Sequence, residues 1–248
     1  KVWAMGSSRD QLQEDDVLLA INGVEISQDA TVPLRDNERI HFLHLVTQHT
    51  AGRDKVTVRL WRDGTSIEVD IALFPDRWLV PRMDGYDAAP EYAIVGGLVF
   101  IPLSHPWAEG KGTDKHGWSS ARALIHQNWG EALSKEGRQL VILSKVLAHP
   151  CNVGFHAVAN MILESFNGAP VENLAQLARS VAGCKSSHLE FRFLRPAGDG
   201  KELVVLDRLE CIAAEPEVLA QHLIAAPCMV RVDGKGEPRP LPQEESTT

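Results

Sequence analysis

Two glycines ahead of an apolar run, Gly96-Gly97-Leu98-Val99-Phe100, are the residues of this chain whose types and order most directly suggest binding chemistry. Paired glycines let the backbone turn so that successive N–H groups converge on one point, and such a nest of amides suits a carboxylate. If the strand that follows has an open edge, it can pair with an extended peptide, and a facing helix can supply an apolar pocket. Leu174 and Leu177 lie one turn apart on a helix expected to begin at the N-cap Asn173, and they are the side chains of that pocket. The candidate peptide-binding set is therefore Gly96, Gly97, Leu98, Val99, Phe100, Leu174 and Leu177. Burying one apolar terminal side chain contributes about 1.5–3 kcal/mol, which sets a micromolar scale of affinity. The same Gly-Gly pair also fits a tight turn into a strand that binds nothing.

The other reactive side chains do not assemble into a site. His41 and His44 are three apart on an expected helix, and His149, Cys151 and His156 are close in sequence. Neither group supplies three or four ligands at the recurrent spacing that zinc sites use, so no metal and no cofactor is expected. Glu14-Asp15-Asp16 reads as a solvated turn before a strand rather than a pair of catalytic carboxylates. Trp107, Trp118 and Trp129 suit local packing or a subunit contact better than base stacking, because the net charge of −8 disfavours nucleic acid. Cys151, Cys184, Cys211 and Cys228 are scattered without a CxxC pair and read as idle thiols. Neither Gly-Asn-Ser-Gly-Gly nor Gly-x-Ser-x-Gly occurs in the 248 residues, so no serine nucleophile with its oxyanion-forming backbone is expected. No apolar run approaches the ~18 residues of a membrane span.

The elements around the glycine pair belong to a repeat. Asp16-Val17-Leu18-Leu19-Ala20-Ile21-Asn22-Gly23-Val24-Glu25-Ile26 returns as Asn160-Met161-Ile162-Leu163-Glu164-Ser165-Phe166-Asn167-Gly168-Ala169-Pro170-Val171. Each copy continues into a helical stretch ending in Ala-Gly, at Ala51-Gly52 and Ala182-Gly183, and then into a hairpin. The first hairpin is expected from Val56 to Leu73 and the second from Leu189 to Leu206. Residues Gln28 to Glu38 read as an inserted loop, and Ile40, Leu43, Leu45 and Val46 carry the spacing of the first helix. Tyr92 to Leu103 opens the second unit, and after Glu217 the composition admits a short helix. A strand, an Asn-Gly turn, a helix and two strands form one supersecondary unit, and its recurrence implies two domains.

Together with the repeat, the motifs resemble the tandem PDZ region of plant and algal Deg (HtrA-like, protease Do-like) serine proteases. The carrying residues are Asp15 to Ile26, Thr31-Val32-Pro33-Leu34-Arg35, Glu38-Arg39-Ile40, Phe42 and Leu45-Val46. In the second unit they are Pro90, Tyr92, Gly96 to Phe100, Pro102-Leu103, Pro106 and Val171-Glu172-Asn173-Leu174. The resemblance implies a mainly β fold with α (α+β), two PDZ-like β-barrels capped by helices. The first would open inside its second strand, its carboxylate-binding loop and a preceding protease domain lying outside these residues. The expected domains are 1–76, a linker 77–90, 91–215 with a polar insertion 104–139, a short helical segment 216–233 and a disordered tail 234–248. Pro102 and the long insertion after Leu103 depart from a conventional open groove. The implied role is regulation and peptide binding within a serine endopeptidase, with a non-catalytic adaptor or assembly role as the alternative. Peptides or protein C-termini are the implied partners, with homo-oligomers in the full protein, no nucleic acid and no membrane span. Relatives of this kind occur in the chloroplast, the mitochondrion or the nucleus.

Overall fold

Asn22-Gly23 and Asn167-Gly168 close two hairpins with the same bonds. They do so in a computed structural model that describes residues 2, 6–50 (backbone alone for 48–50), 55–74, 77–82, 89–110, 124–125, 128, 131–156, 158–195, 200–231 and 237–241. Both asparagines are left-handed, at φ 49° and 46°, and are followed by glycines at φ 81° and 79°. That is the type I′ geometry whose twist matches paired strands. The Asn22 N–H donates to Thr57 O at 2.8 Å, and Asn22 Oδ1 accepts the Thr57 N–H at 2.9 Å. Asn167 makes the same pair with Glu190, both bonds at 2.8 Å. The register shifts just before each turn, between Leu18 and Ala20 and between Leu163 and Ser165. The bulged carbonyls of Leu19 and Glu164 accept the amides of Ile26 and Val171, at 2.9 and 3.1 Å. The Asn-Gly repeat is thus a repeat of backbone geometry.

The residues form two compact units, 1–77 with 132–135, and 78–131 with 136–248. The first runs β1 (Val17–Ile21), β2 (Val24–Glu25), β3 (Thr31–Arg35), β4 (Glu38–His41), α1 (Leu43–Thr50), β5 (Lys55–Arg62) and β6 (Thr65–Ala72). Its main sheet has the order β2-β1-β5-β6, and β3 pairs with β4 alone. Ile21, Val56, Val58, Leu60 and Ile71 form the core, with Phe42, Leu45 and Val46 packed on it.

The second unit runs β7 (Tyr92–Val95), β8 (Leu98–Pro102), α2 (His105–Glu109), β9 (Val141–Val146), a 3-10 turn Pro150–Asn152, β10 (Met161–Phe166), β11 (Ala169–Pro170), α3 (Leu174–Ala182), β12 (His188–Leu194), β13 (Lys201–Asp207), α4 (Arg208–Gln221) and β14 (Cys228–Met229). Its sheet follows β13-β12-β10-β9-β8-β7-β14, with β11 beside β10. Stacked Phe100, Phe191 and Phe193, each fully buried, centre the core.

Several sequence expectations are corrected. The fold is α+β, but among the described residues the pairing is open rather than a closed barrel, since β13 and β14 end the path. The inserted loop at Gln28–Glu38 is largely the hairpin β3–β4. Arg39 holds it by donating from Nε to Thr31 Oγ1 at 2.7 Å and from Nη2 to Thr31 O at 2.9 Å. That hairpin takes up Ile40, so α1 starts later, at Leu43. Leu79 and Val80, expected in the linker, are buried, and Leu124 and Ile125 of the polar insertion are buried too. Trp118 and Trp129 lie outside the described residues. The helix expected after Glu217 begins at Arg208, capped by Asp207 and carrying Pro216 inside it. Proline at that place frees the carbonyl of Ile212, which sits on the exposed side of the helix where water can bond it. Within the expected tail, Arg239 exchanges both backbone bonds with Val230, each at 3.0 Å.

Asp16 also departs from the solvated turn. Its side chain is only 4% exposed. Arg62 grips it by a fork, Nε to Oδ1 at 2.7 Å and Nη2 to Oδ2 at 2.6 Å, while donating from Nη2 to Gln11 O at 2.9 Å. The guanidinium holds the carboxyl down at about 2, from an ordinary 3.8. A lowered folded-state pKa contributes stability above the unfolded value and loses it as the pH falls through the folded one. Asp16→Asn is therefore expected to be less stable than the parent at neutral pH, by urea unfolding. The gap should close between about pH 4 and pH 2, and a gap constant across that window would contradict this role for the pair.

Candidate peptide-binding site

The Gly-Gly pair is the two-residue turn of the β7–β8 hairpin. Val95 pairs with Leu98 across it, and Gly96 and Gly97 take φ of 52° and 82°. No side chain fits at either place. A Cβ on Gly96 would lie 2.4 Å from Cys211 Sγ, and one on Gly97 would lie 2.3 Å from the Leu147 carbonyl oxygen. The turn is clamped from one side by the buried Asn152, whose Nδ2 donates to Gly96 O and to Leu147 O, each at 2.8 Å. Leu147 N–H in turn donates to Gly97 O at 2.7 Å. Asn152 is held by its own 3-10 turn, where its Oδ1 accepts the His149 N–H at 3.1 Å. Sequence reasoning missed this asparagine, although Asn shortly after His-Pro is a turn signal.

The edge expected to be open is filled. β8 pairs with β9 on one side and with β7 on the other, so it has no free edge for an incoming strand. β7 runs along α3, and its Ala93 and Val95 lie in one buried cluster with Leu98, Phe100, Leu174 and Leu177. Of the expected residues, Leu98, Phe100, Leu174 and Leu177 are fully buried, brought together as core rather than as an empty pocket. Val99 points to the other face. There it lines a cleft of about 500 Å³ with Tyr92, Ile94, Lys145, Leu147 and Ile224. The signal for β7 was present: a period-two apolar run on each side of two glycines is a hairpin pattern.

Polar side chains lock β7 in place. Glu91, just before it, is 6% exposed at its side chain and accepts Arg231 N–H at 2.9 Å and Arg231 Nη1 at 2.6 Å. Gln139 Nε2 donates to Glu91 Oε2 at 3.2 Å, and Gln139 Oε1 accepts the Leu174 N–H at 3.1 Å. One side chain therefore ties the first amide of α3 to the start of β7, while the Asn173 side chain caps Gln176 N–H at 2.8 Å.

The two cysteines beside the turn are not activated. Burial pushes the Cys211 thiol up to about 12, with neighbouring Cys151 adding to the shift. Burial also raises Cys151, so both are protonated at neutral pH and are poor nucleophiles. His149 is a cap, its Nδ1 accepting the Cys151 N–H at 3.2 Å. Among the described residues no group of three or more His, Cys, Asp or Glu is placed to hold a metal ion. No described helix is long and apolar enough to cross a membrane.

An apolar strand entered by a Gly-Gly turn, with a helix packed alongside, is the arrangement that strand addition uses, and in this chain β7 already pairs with that strand. The profile of the PDZ domain matches residues 80–229, and the chain belongs to that family, as the PDZ region of a Deg/HtrA-type protein. It is 37% identical over 183 residues to Protease Do-like 2, chloroplastic, of Arabidopsis thaliana, covering 73% of this chain and 29% of that protein. It is 34% identical over 173 residues to the putative protease Do-like 3, mitochondrial, of the same plant, covering 70% of this chain and 29% of that protein. Protease Do-like 4, mitochondrial, also from Arabidopsis thaliana, matches at 31% over 214 residues, 86% of this chain and 37% of that protein. The chain thus spans about a third of the length of these relatives.

The clamp gives a graded expectation. Gly97→Ala combines left-handed strain of about 1–2 kcal/mol with a clash against backbone, whereas a Cβ at Gly168 meets nothing within 4 Å. Gly97→Ala is expected to lower unfolding stability by at least about twice as much as Gly168→Ala. Equal losses in denaturant titrations would show that Leu147 and Asn152 do not hold the turn.

Proposed function

We propose that this chain is the regulatory PDZ region of a Deg-type serine endopeptidase that works in proteolysis and protein quality control in an organelle. Its second unit holds its peptide site closed with β7. The observation that carries this reading is the double pairing of β8, with β7 packed against α3. Capture of a protein C-terminus by Gly96, Gly97, Leu98, Phe100, Leu174 and Leu177 then requires β7 to leave, so binding and opening are one event. Val95 fills the place of a ligand's last apolar side chain, and the hairpin turn stands where its carboxylate would go. An adaptor that captures C-termini constitutively would need this groove open, which favours the regulatory reading.

Ala93→Pro is the test. Ala93 pairs with Phe100 in the hydrogen-bonded phase of the hairpin, and proline removes the donor. The parent chain is expected to leave the polarisation of a labelled peptide with an apolar C-terminus unchanged. The variant should bind that peptide with micromolar affinity, and amidating the peptide's C-terminus should abolish the binding. A folded Ala93→Pro chain that binds no such peptide would remove peptide capture from this unit. In the natural gene product, the same substitution is expected to change the rate at which an unfolded protein is cleaved. An unchanged rate would count against a regulatory role.

A further inference from the structure

Among the described residues the outer edge of β13 pairs with no strand, and its residue order fits itself. β13 ends the sheet path and pairs along its whole length with β12 only. Bonds from Arg208 N to Ser187 O at 2.9 Å and from Arg195 N to Gly200 O at 3.3 Å fix the phase of that ladder. Glu202, Val204 and Leu206 direct their N–H and C=O groups to β12. Those of Lys201, Leu203, Val205 and Asp207 therefore point away from the sheet. Among the described residues no other strand meets them. The side chains of these four share one face, on which Leu203 and Val205 are 45% and 41% exposed.

The first unit shows what a protected version of this edge looks like. Asn22 bonds Thr57, which faces Asp70 on β6, and Asn167 bonds Glu190, which faces Val205 on β13. Asp70 and Val205 are thus equivalent places in the repeat, and so are Glu68 and Leu203, opposite Arg59 and Arg192. Two carboxylates on an edge repel a second copy of the same edge, a common guard against sheet-to-sheet pairing. In the second unit both are replaced by apolar residues.

We propose that β13 is a self-association edge, through which two copies of this chain pair antiparallel about a two-fold axis at Val204. Of the antiparallel registers, this one gives every outward-directed residue an outward-directed partner. Lys201 meets Asp207 of the second copy at both ends, and Leu203 meets Val205 in the middle. Unlike charges and apolar neighbours therefore face each other across the joint, as an isologous interface requires. Asp207 Oδ1 is engaged by the Glu210 N–H at 2.9 Å, which leaves Oδ2 for the lysine, and Lys201 Nζ, already 2.8 Å from both Glu164 oxygens, would share its charge between the two carboxylates. The joint merges two sheets into one and uses none of the residues around the Gly-Gly turn.

Sedimentation of the chain across a concentration series, with its variants, tests this. The parent is expected to dimerise. L203E/V205E places carboxylates opposite carboxylates and should raise the dissociation constant by about tenfold or more. L203E/V205K places Glu opposite Lys in this register alone and should restore the dimer. Circular dichroism confirms that each variant is folded. In the parent, the amides of Leu203 and Val205 should become slower to exchange with deuterium as concentration rises, a readout that needs no substitution. A parent that stays monomeric, a dimer indifferent to L203E/V205E, failure of L203E/V205K to restore it, or fast exchange at these amides within the dimer would each overturn the proposal.

Discussion

The second unit depends on a single buried side-chain amide. Asn152 Nδ2 serves the carbonyls of Gly96 and Leu147 together, and Leu147 N–H closes the triangle on Gly97 O. A buried carbonyl without a donor costs about 1–3 kcal/mol, so two carbonyls sharing one amide group make this a point where little can change. Space is equally constrained, because both glycines lie against atoms that exclude a Cβ. The turn fixes the register of β7 on β8, and that register sends Ala93 and Val95 into the core beside α3 while Ile94 faces the cleft. One asparagine thus holds the turn that sets the pairing of β7 with β8.

This occupancy changes the physical meaning of the motif. In an open module, the glycines present amides, the strand presents an edge, and the helix presents a pocket, and binding affinity comes from all three. Here each has been used within the chain. The glycines form a hairpin turn, the edge of β8 carries β7, and Val95 lies in the buried cluster with Leu174 and Leu177. Opening must break the Glu91–Arg231 and Gln139 contacts and expose Ala93 and Val95, so the free energy of a ligand is offset by the strand it displaces. Under the proposed function, only a ligand that binds more strongly than β7 would open the unit.

Much of the architecture was legible in the residues. Asn22-Gly23 and Asn167-Gly168 demanded type I′ turns, the alternation of Val56 to Arg62 and Leu189 to Leu194 demanded strands, and their shared order revealed the repeat. These are local signals, fixed by φ, by turn chemistry and by period. The occupied groove was not legible from Gly96 to Phe100 alone, because an edge is free or filled according to which strand lies beside it, a tertiary fact. Asp16 shows the same limit: three acids in a row look solvated until Arg62, far along the chain, folds over one of them. The last helix was legible only after Glu217, while it begins at Arg208 and carries Pro216 inside it, the carbonyl freed by that proline lying on the exposed side.

In the free chain β7 pairs where an added strand would pair, and hydrogen exchange tests this most directly. In the hairpin, the amides of Leu98 and Phe100 face β7 rather than solvent. In the free chain at neutral pH, with exchange resolved by residue, both should be protected to the same degree as Phe191 and Phe193 in the middle of the sheet. Exchange of Leu98 and Phe100 at the rate of an unpaired edge, with the Phe191 and Phe193 amides still protected, would mean that the groove is open and that the account is wrong.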